Sequence, residues 1–214
     1  MSLKVVALSN LLSSYDESLP GDKKKVEQEV QELLNKFKSI SVSGDKKQHD
    51  VEGFLQKRAI EFDKSGISKT HLVFAPYKGE QVLVGYYAIS NKALVFTKRQ
   101  LSRYSVSVQK RIRRRSSNSG EDVNNHSISA FLIGQLGKNH TDEALKTKAV
   151  NGKILLTLAY DTILDAQMLA GGSYIWLEYE NKDKLRNLYN DFGFSEVEDY
   201  TSPTGLKMAF MSIS

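Results

Sequence analysis

Tyr174-Ile175-Trp176-Leu177-Glu178-Tyr179, then Lys182–Asp191, then Phe194-Ser195-Glu196-Val197 is the stretch that decides the fold class. Its first six residues are aromatic, β-branched or aliphatic apart from Glu178 and read as a strand. Leu185, Leu188, Tyr189 and Phe192 recur at spacings of three and four, which marks one apolar face of a short helix, and Gly193 stops it. Leu206–Ile213 adds a further strand. Strand, helix, strand and strand in so short a span predict a crossover unit inside a sheet.

Upstream, the same reading gives a helix from about Gly152 to Leu169, ended by Gly171-Gly172. Ser129–Leu136 is almost wholly apolar, as expected of a strand covered on both faces. Thr70–Phe74, a turn at Pro76–Gly79, Val82–Ile89 and Ala93–Phe96 form a meander. Two amphipathic helices precede it, over 23–38 after Pro20-Gly21-Asp22 and over 51–66, with Gly66 as the stop and 39–49 as a polar linker. There are no internal repeats. The class is α+β (mixed α/β), with a central mixed, mostly antiparallel sheet and flanking helices.

The chain has 214 residues and no cysteine, which excludes disulfide scaffolds, thiolate metal sites and cysteine nucleophiles. His49, His71 and His126 have no Cys, Asp or Glu at ligand spacing, so no metal site is expected. No apolar run approaches the roughly 18–20 residues of a spanning helix, and Met1-Ser2-Leu3-Lys4 does not open a signal peptide. No membrane association is expected, and the expected location is cytoplasmic. The formal net charge of +5 is concentrated: Lys98–Arg115 holds eight basic residues and no acidic one, leaving 22 basic against 25 acidic residues elsewhere. A run of that kind is either a solvated loop or a phosphate-binding element.

Four segments together resemble the GNAT superfamily of N-acetyltransferases, most of all its toxin-like subgroup. Asn187-Leu188-Tyr189-Asn190-Asp191-Phe192-Gly193-Phe194 is similar to the family's helix-borne Tyr ahead of a Gly-Phe. Val84-Gly85-Tyr86-Tyr87-Ala88-Ile89-Ser90 resembles a core strand of the toxin subgroup, and Phe131-Leu132-Ile133-Gly134-Gln135-Leu136-Gly137 the strand leading to the acetyl-CoA phosphate loop. Val51–Ala59 with Ser68–Val73 resembles that subgroup's early helix and strand. The likeness covers about residues 50–213. It divides the chain into an N-terminal helical extension (1–45) and an acetyltransferase domain (46–214), with 97–127 as a basic, mobile insertion loop.

The resemblance implies a GNAT fold with splayed middle strands, acetyl-CoA as cofactor, and transfer of an acetyl group to a primary amine whose identity stays open. The aminoacyl-tRNA acceptor of the toxin-like members is its sharpest form. It places Leu136, Gly137, Lys138 and Asn139 along the pantetheine and acyl group. Lys148, Val150, Asn151, Gly152 and Lys153 fall at the pyrophosphate, and Asn181, Leu185 and Tyr189 on the opposite strand and helix. The loop departs from the family pattern: Thr147-Lys148-Ala149-Val150-Asn151-Gly152 keeps only the last glycine, and Val150 cannot readily take the positive φ of the glycine it replaces. Asn181 stands eight residues before Tyr189, one more than in the family.

Tyr189 is the candidate acid for the leaving thiolate, with a core-facing aromatic as the alternative. Glu178 is the candidate base, with an exposed strand carboxylate as the alternative; His140 is a second candidate. Lys110, Arg111, Arg113, Arg114 and Arg115 are candidates for tRNA phosphates. Two readings stay open: an acetyl-CoA-dependent N-acetyltransferase, and a catalytically inactive GNAT-fold module that contacts RNA or a protein partner. A homodimer is also left open.

Overall fold

The computed structural model describes residues 2–19, 21–40, 50–117 and 125–213. Most of the expected linker at 39–49, His49 included, and the middle of the expected 97–127 loop lie outside the described residues. The first elements are β1 (Lys4–Ala7), α1 (Leu8–Leu12), α2 (Asp22–Asn35), α3 (Asp50–Lys57), α4 (Ala59–Lys64), β2 (Lys69–Tyr77) and β3 (Glu80–Asn91). Then come β4 (Leu94–Thr97), α5 (Lys98–Leu101), α6 (Val106–Arg115), β5 (Ser116–Ser117), β6 (Asn125–Ile128) and β7 (Ala130–Lys138). The chain continues with α7 (Asp142–Thr147), α8 (Gly152–Ala170), β8 (Tyr174–Glu180), α9 (Asp183–Phe192), β9 (Ser195–Glu196) and β10 (Leu206–Ser212). They fall into two compact units, Met1–Ile89 with Gln135–Ala159 and Ser90–Gly134 with Tyr160–Ser214.

In the first unit β2 pairs antiparallel with both β1 and β3, and the C-terminal half of β7 lies beside β3. The β2–β3 hairpin closes on Lys78 and Gly79 alone, with φ of 51° and 85°. Positive φ at both central residues is the two-residue turn whose twist suits a hairpin, so the strands run further than the sequence signal at Pro76–Gly79 suggests. Leu8 of α1, Val30 and Leu34 of α2 and Phe54, Leu55 and Ala59 of α3 and α4 pack with Leu72, Phe74, Leu83, Tyr86 and Ala88 of β2 and β3 in one core. The N-terminal helices therefore share the core of the strands that follow them. β1 carries no sequence signal because four residues running straight into α1 are too short to show a period.

The single helix expected over 51–66 is two, broken at Arg58, where φ is −125°. The second is tied to the sheet by Asp63, whose side chain is buried. Its Oδ1 accepts from Lys69 Nζ at 3.0 Å and its Oδ2 from the Thr70 amide at 3.0 Å.

In the second unit Ala130–Ile133 of β7 pairs parallel with Tyr174–Leu177 of β8, β8 pairs antiparallel with β10, and β10 with β9. A small sheet, ordered β4-β6-β5, accompanies it. The basic run differs from the loop expected of it, because it forms α5 and α6. Thr97 and Gln100 close a reciprocal cap at the start of α5. Val108 and Ile112, four apart, give α6 a narrow apolar stripe, and Ile112 is fully buried against Leu94, Phe96, Leu101, Ile128, Tyr174 and Phe210. Five cations among the ten residues of this helix obscure the stripe in the sequence, and the core makes Ile112 its anchor.

Asp63→Ala strands the buried Thr70 amide without its acceptor and leaves Lys69 Nζ only the carbonyl of residue 63, at 2.8 Å, and is expected to lower stability by about 2 kcal/mol. Asp63→Asn, which keeps one acceptor oxygen, is expected to lose less; urea unfolding midpoints of the two variants check the order.

Candidate functional site

The start of α8 is built by Asn151. Its Oδ1 accepts from the Ile154 amide at 2.9 Å and its carbonyl from the Leu155 amide at 3.1 Å, so it caps the helix and holds the first turn. The amides of Gly152 and Lys153 make no hydrogen bond among the described residues and stand at the positive end of a 19-residue helix with no acidic residue in its first turn. Lys146, Lys148 and Lys153 are exposed, and none pairs with a carboxylate among the described residues. Two orphan amides, a helix N-terminus and three cations suit a diphosphate.

The left-handed residue of this loop is Lys148, at φ 51°, while Val150 is buried with ordinary φ. The loop is thus reshaped: the turn is made two residues earlier, after α7, and Val150 serves as a plug into the core with only its backbone available. Thr147 supports the turn, its hydroxyl donating to the Ala144 carbonyl at 2.6 Å and accepting from the Ala149 amide at 3.1 Å.

At the end of β7, Leu136 and Lys138 are half-buried and Gly137 is buried. A Cβ on Gly137 would lie 2.5 Å from Val51 Cγ1 and 2.8 Å from the Tyr86 ring, so glycine alone fits there. Asn139 is committed to the chain. Its Nδ2 donates to the Leu83 carbonyl at 2.7 Å, and its Oδ1 accepts from the amides of Lys38 at 3.1 Å and Thr141 at 3.2 Å. Its side chain is a latch, engaged at both its oxygen and its nitrogen within the first unit.

In the second unit Tyr189 sits in the second half of α9 with its ring 5.1 Å from that of Tyr179 and 6.0 Å from that of Phe194. Burial pushes its hydroxyl up to about 12, so it stays protonated at neutral pH. The hydroxyl makes no hydrogen bond among the described residues. Glu178 is one residue before Tyr179 on β8, hence on the other face, with Tyr174 and Trp176 of the core that α6 covers. There it is exposed and accepts a hydrogen bond from the Tyr200 hydroxyl. Burial, then that bond, pushes Tyr200 up to about 12. The structure does not bring Glu178 and Tyr189 together; Glu178 has the arrangement of an exposed strand carboxylate. Leu185 is half-buried on α9, and Asn181 Oδ1 accepts from Arg186 Nη2 at 2.5 Å. The residues that composition and spacing did not suggest are Arg186 and Glu196, which bracket this site. His140 donates its amide to the Lys38 carbonyl at 2.8 Å, in the first unit.

Lys110, Arg111, Arg113 and Arg114 project from α6 on the side away from Ile112, and all four are exposed. Arg113 is held by Gln109 at 3.2 Å. Arg115 is separate from them: it is half-buried, lies over the Tyr174 ring and donates to Ser212 Oγ at 3.1 Å. Among the described residues no group of three His, Asp or Glu side chains is placed to hold a metal, and no helix is long and apolar enough to cross a membrane.

No protein-family model matches the chain, and no curated protein matches it. Solved structures do. AtaT complexed with acetyl-methionyl-tRNAfMet matches with a TM-score of 0.62 at 15% identity, over 99% of this chain and 95% of that one. A tyrosine-to-phenylalanine mutant of KacT matches with 0.59 at 15% identity, over 99% and 95%. A tyrosine-to-phenylalanine mutant of the AtaT toxin, bound to the C-terminus of the antitoxin AtaR and acetyl-CoA, matches with 0.56 at 13% identity, over 99% and 94%. The chain has the GNAT fold. The likeness runs over 99% of this chain in each of the three. At these identities it is a likeness of fold; the chemistry of a GNAT site in this chain has to come from its own residues.

If Asn151 sets the start of α8, Asn151→Ala is expected to cost about 1 kcal/mol of stability. Thermal unfolding of the variant checks it, with Asn151→Asp, which keeps the capping oxygen, expected to retain most of that stability.

Proposed function

We propose that the protein is an acetyl-CoA-dependent N-acetyltransferase whose amine acceptor is carried on tRNA. The observation that carries the reading is the start of α8: two orphan amides and three lysines without carboxylate partners among the described residues, in a fold shared with AtaT structures bound to acetyl-CoA and complexed with acetyl-methionyl-tRNAfMet. The donor set fits a diphosphate and its surrounding negative charge.

When bound, acetyl-CoA supplies an acyl group activated as a thioester. The Gly152 and Lys153 amides hold the diphosphate, with Lys146, Lys148 and Lys153 neutralising its charge. A backbone amide near Gly137 or Lys138 donates to the acyl oxygen as negative charge gathers on it. A C–N bond forms, the C–S bond breaks, the amine loses one proton and the departing sulfur gains one. Within the second unit, Tyr189 Oη is the group suited to give the latter, because burial keeps its proton in place at neutral pH. A thiol ordinarily ionises near about 8.5, so transfer from so weak an acid occurs as charge develops on sulfur and not before. The amine proton leaves to solvent, since Glu178 lies on the other face of β8.

The exposed basic face of α6 supports the acceptor. Four cations along a ten-residue helix, fixed by Ile112, match the charge of a nucleic-acid backbone without reading its bases. The same face, with the reshaped phosphate loop, also favours a second reading, an RNA-binding module without catalysis.

Isothermal titration separates the two. Micromolar, near-stoichiometric acetyl-CoA binding is expected, and a Lys148→Ala, Lys153→Ala double variant is expected to bind at least about tenfold more weakly. No binding at millimolar concentration leaves the module reading. Charge reversal at Arg111 and Arg114 is expected to weaken binding of charged tRNA and to shallow its salt dependence, by about 0.7–0.9 in log–log slope for each phosphate that is no longer neutralised. An unchanged slope removes α6 from the interface.

A further inference from the structure

Tyr189 is surrounded by rings, and rings alone leave it room to tilt, because their attraction is weakly directional. The directional contacts lie one residue further out. Tyr179, whose ring supports that of Tyr189, donates its hydroxyl to Glu196 Oε2 at 2.5 Å. The same oxygen accepts from Arg186 Nε at 3.3 Å. Arg186 stands on α9 three residues before Tyr189, on the same side of the helix. Its other nitrogens donate to Asp183 at 2.6 Å and Asn181 at 2.5 Å, which fixes the guanidinium at the start of α9. Lys207 of β10, opposite Tyr179 in the β8–β10 register, lies 4.0 Å from the second Glu196 oxygen.

One carboxylate thus ties three elements. It holds the phenol under Tyr189, and it holds α9 through Arg186 against β9, so both the bed of the Tyr189 ring and the rotation of its helix depend on Glu196. We propose that Glu196 is a positioning residue for the reaction: through Tyr179 and Arg186 it sets the direction of the Tyr189 hydroxyl. The inference rests on Tyr189 being the proton donor. Burial and the Glu196 carboxylate both push Tyr179 well above its ordinary range, so this phenol remains a donor to Glu196 at any pH at which the enzyme works.

The experiment is acetyl transfer from labelled acetyl-CoA to a pool of aminoacyl-tRNA, with the Tyr189 ring followed in the unliganded protein by fluorine NMR of 3-fluorotyrosine placed at that position. Tyr179→Phe, which removes one oxygen, and Glu196→Ala are each expected to lower kcat about tenfold with KM for acetyl-CoA within about twofold, and Glu196→Gln, which keeps an acceptor for Tyr179, to recover most of the loss. The fluorine line is expected to shift or broaden in Glu196→Ala and to return in Glu196→Gln. Adding Glu196→Ala to Tyr189→Phe is expected to cost nothing further, because the group being positioned is already gone. Unchanged kcat and fluorine line in Tyr179→Phe and Glu196→Ala overturn the proposal, as does a Glu196→Ala loss that multiplies with that of Tyr189→Phe. If Tyr189→Phe alone leaves turnover unchanged, it is the proton-donor reading that fails, and the fluorine line still decides whether Glu196 orders the ring. Should Glu196→Ala not fold, Tyr179→Phe carries the test.

Discussion

A side chain at Gly137 would collide with Val51, Tyr86 and Phe37 at once, and the arrangement of the first unit follows from that closeness. Because β7 has no Cβ there, the first turn of α3 settles directly on its end, with the Tyr86 hydroxyl bonded to the Val51 carbonyl and Phe37 edge-on to the Tyr86 ring. The chain after α2 is thereby brought within reach of Asn139, which takes the Lys38 amide and returns a hydrogen bond to the Leu83 carbonyl. Asn139 also accepts from the Thr141 amide, so the same latch directs the chain toward α7, the left-handed turn at Lys148 and the capped start of α8. The capped start of this helix is the last link in a sequence of packing constraints that begins with a missing methyl group.

The second unit works through a different constraint, the alternation of a strand. On β8 the residues Tyr174, Trp176 and Glu178 share one face with the core that α6 closes, while Tyr179 belongs to the face that receives α9. Two potential roles are separated by this one step along the backbone. The face with Glu178 and Tyr200 accompanies the basic helix, and the face with Tyr179 supports Tyr189, Arg186 and Glu196. Tyr189 lies in an aromatic bed whose burial keeps its hydroxyl protonated, and the Glu196 carboxylate one ring away is bonded to that bed through Tyr179.

Much of this was legible in the sequence where a period was long enough to count. The strands over 70–74, 82–89, 129–136, 174–179 and 206–213 and the helices α2, α8 and α9 all show repeating apolar positions, and they are where the structure has them. What escaped is short or masked by charge. β1 and α1 are too brief to repeat, α7 is a single polar turn or so in what reads as a loop, and α6 hides its Val108–Ile112 stripe among arginines. The candidate site divides the same way: Gly152 and Tyr189 are marked by local motifs, whereas Arg186 and Glu196 are ordinary charged residues that gain meaning only from what they touch.

The sequence by itself determined the order and type of the main elements and the concentration of positive charge in one segment, because these depend on residues close together in the chain, and it showed directly that no cysteine side chain takes part. Only the tertiary structure decided which face of β8 looks toward α9, and with it that Glu178 and Tyr189 are apart. It also decided that Val150 is a core plug while Lys148 makes the turn, that Asn139 is a latch, and that the basic run is a helix anchored by Ile112. The physical reason is common to all four: periodicity says which residues share a face, but the partner that covers the face is set by packing between segments far apart in sequence.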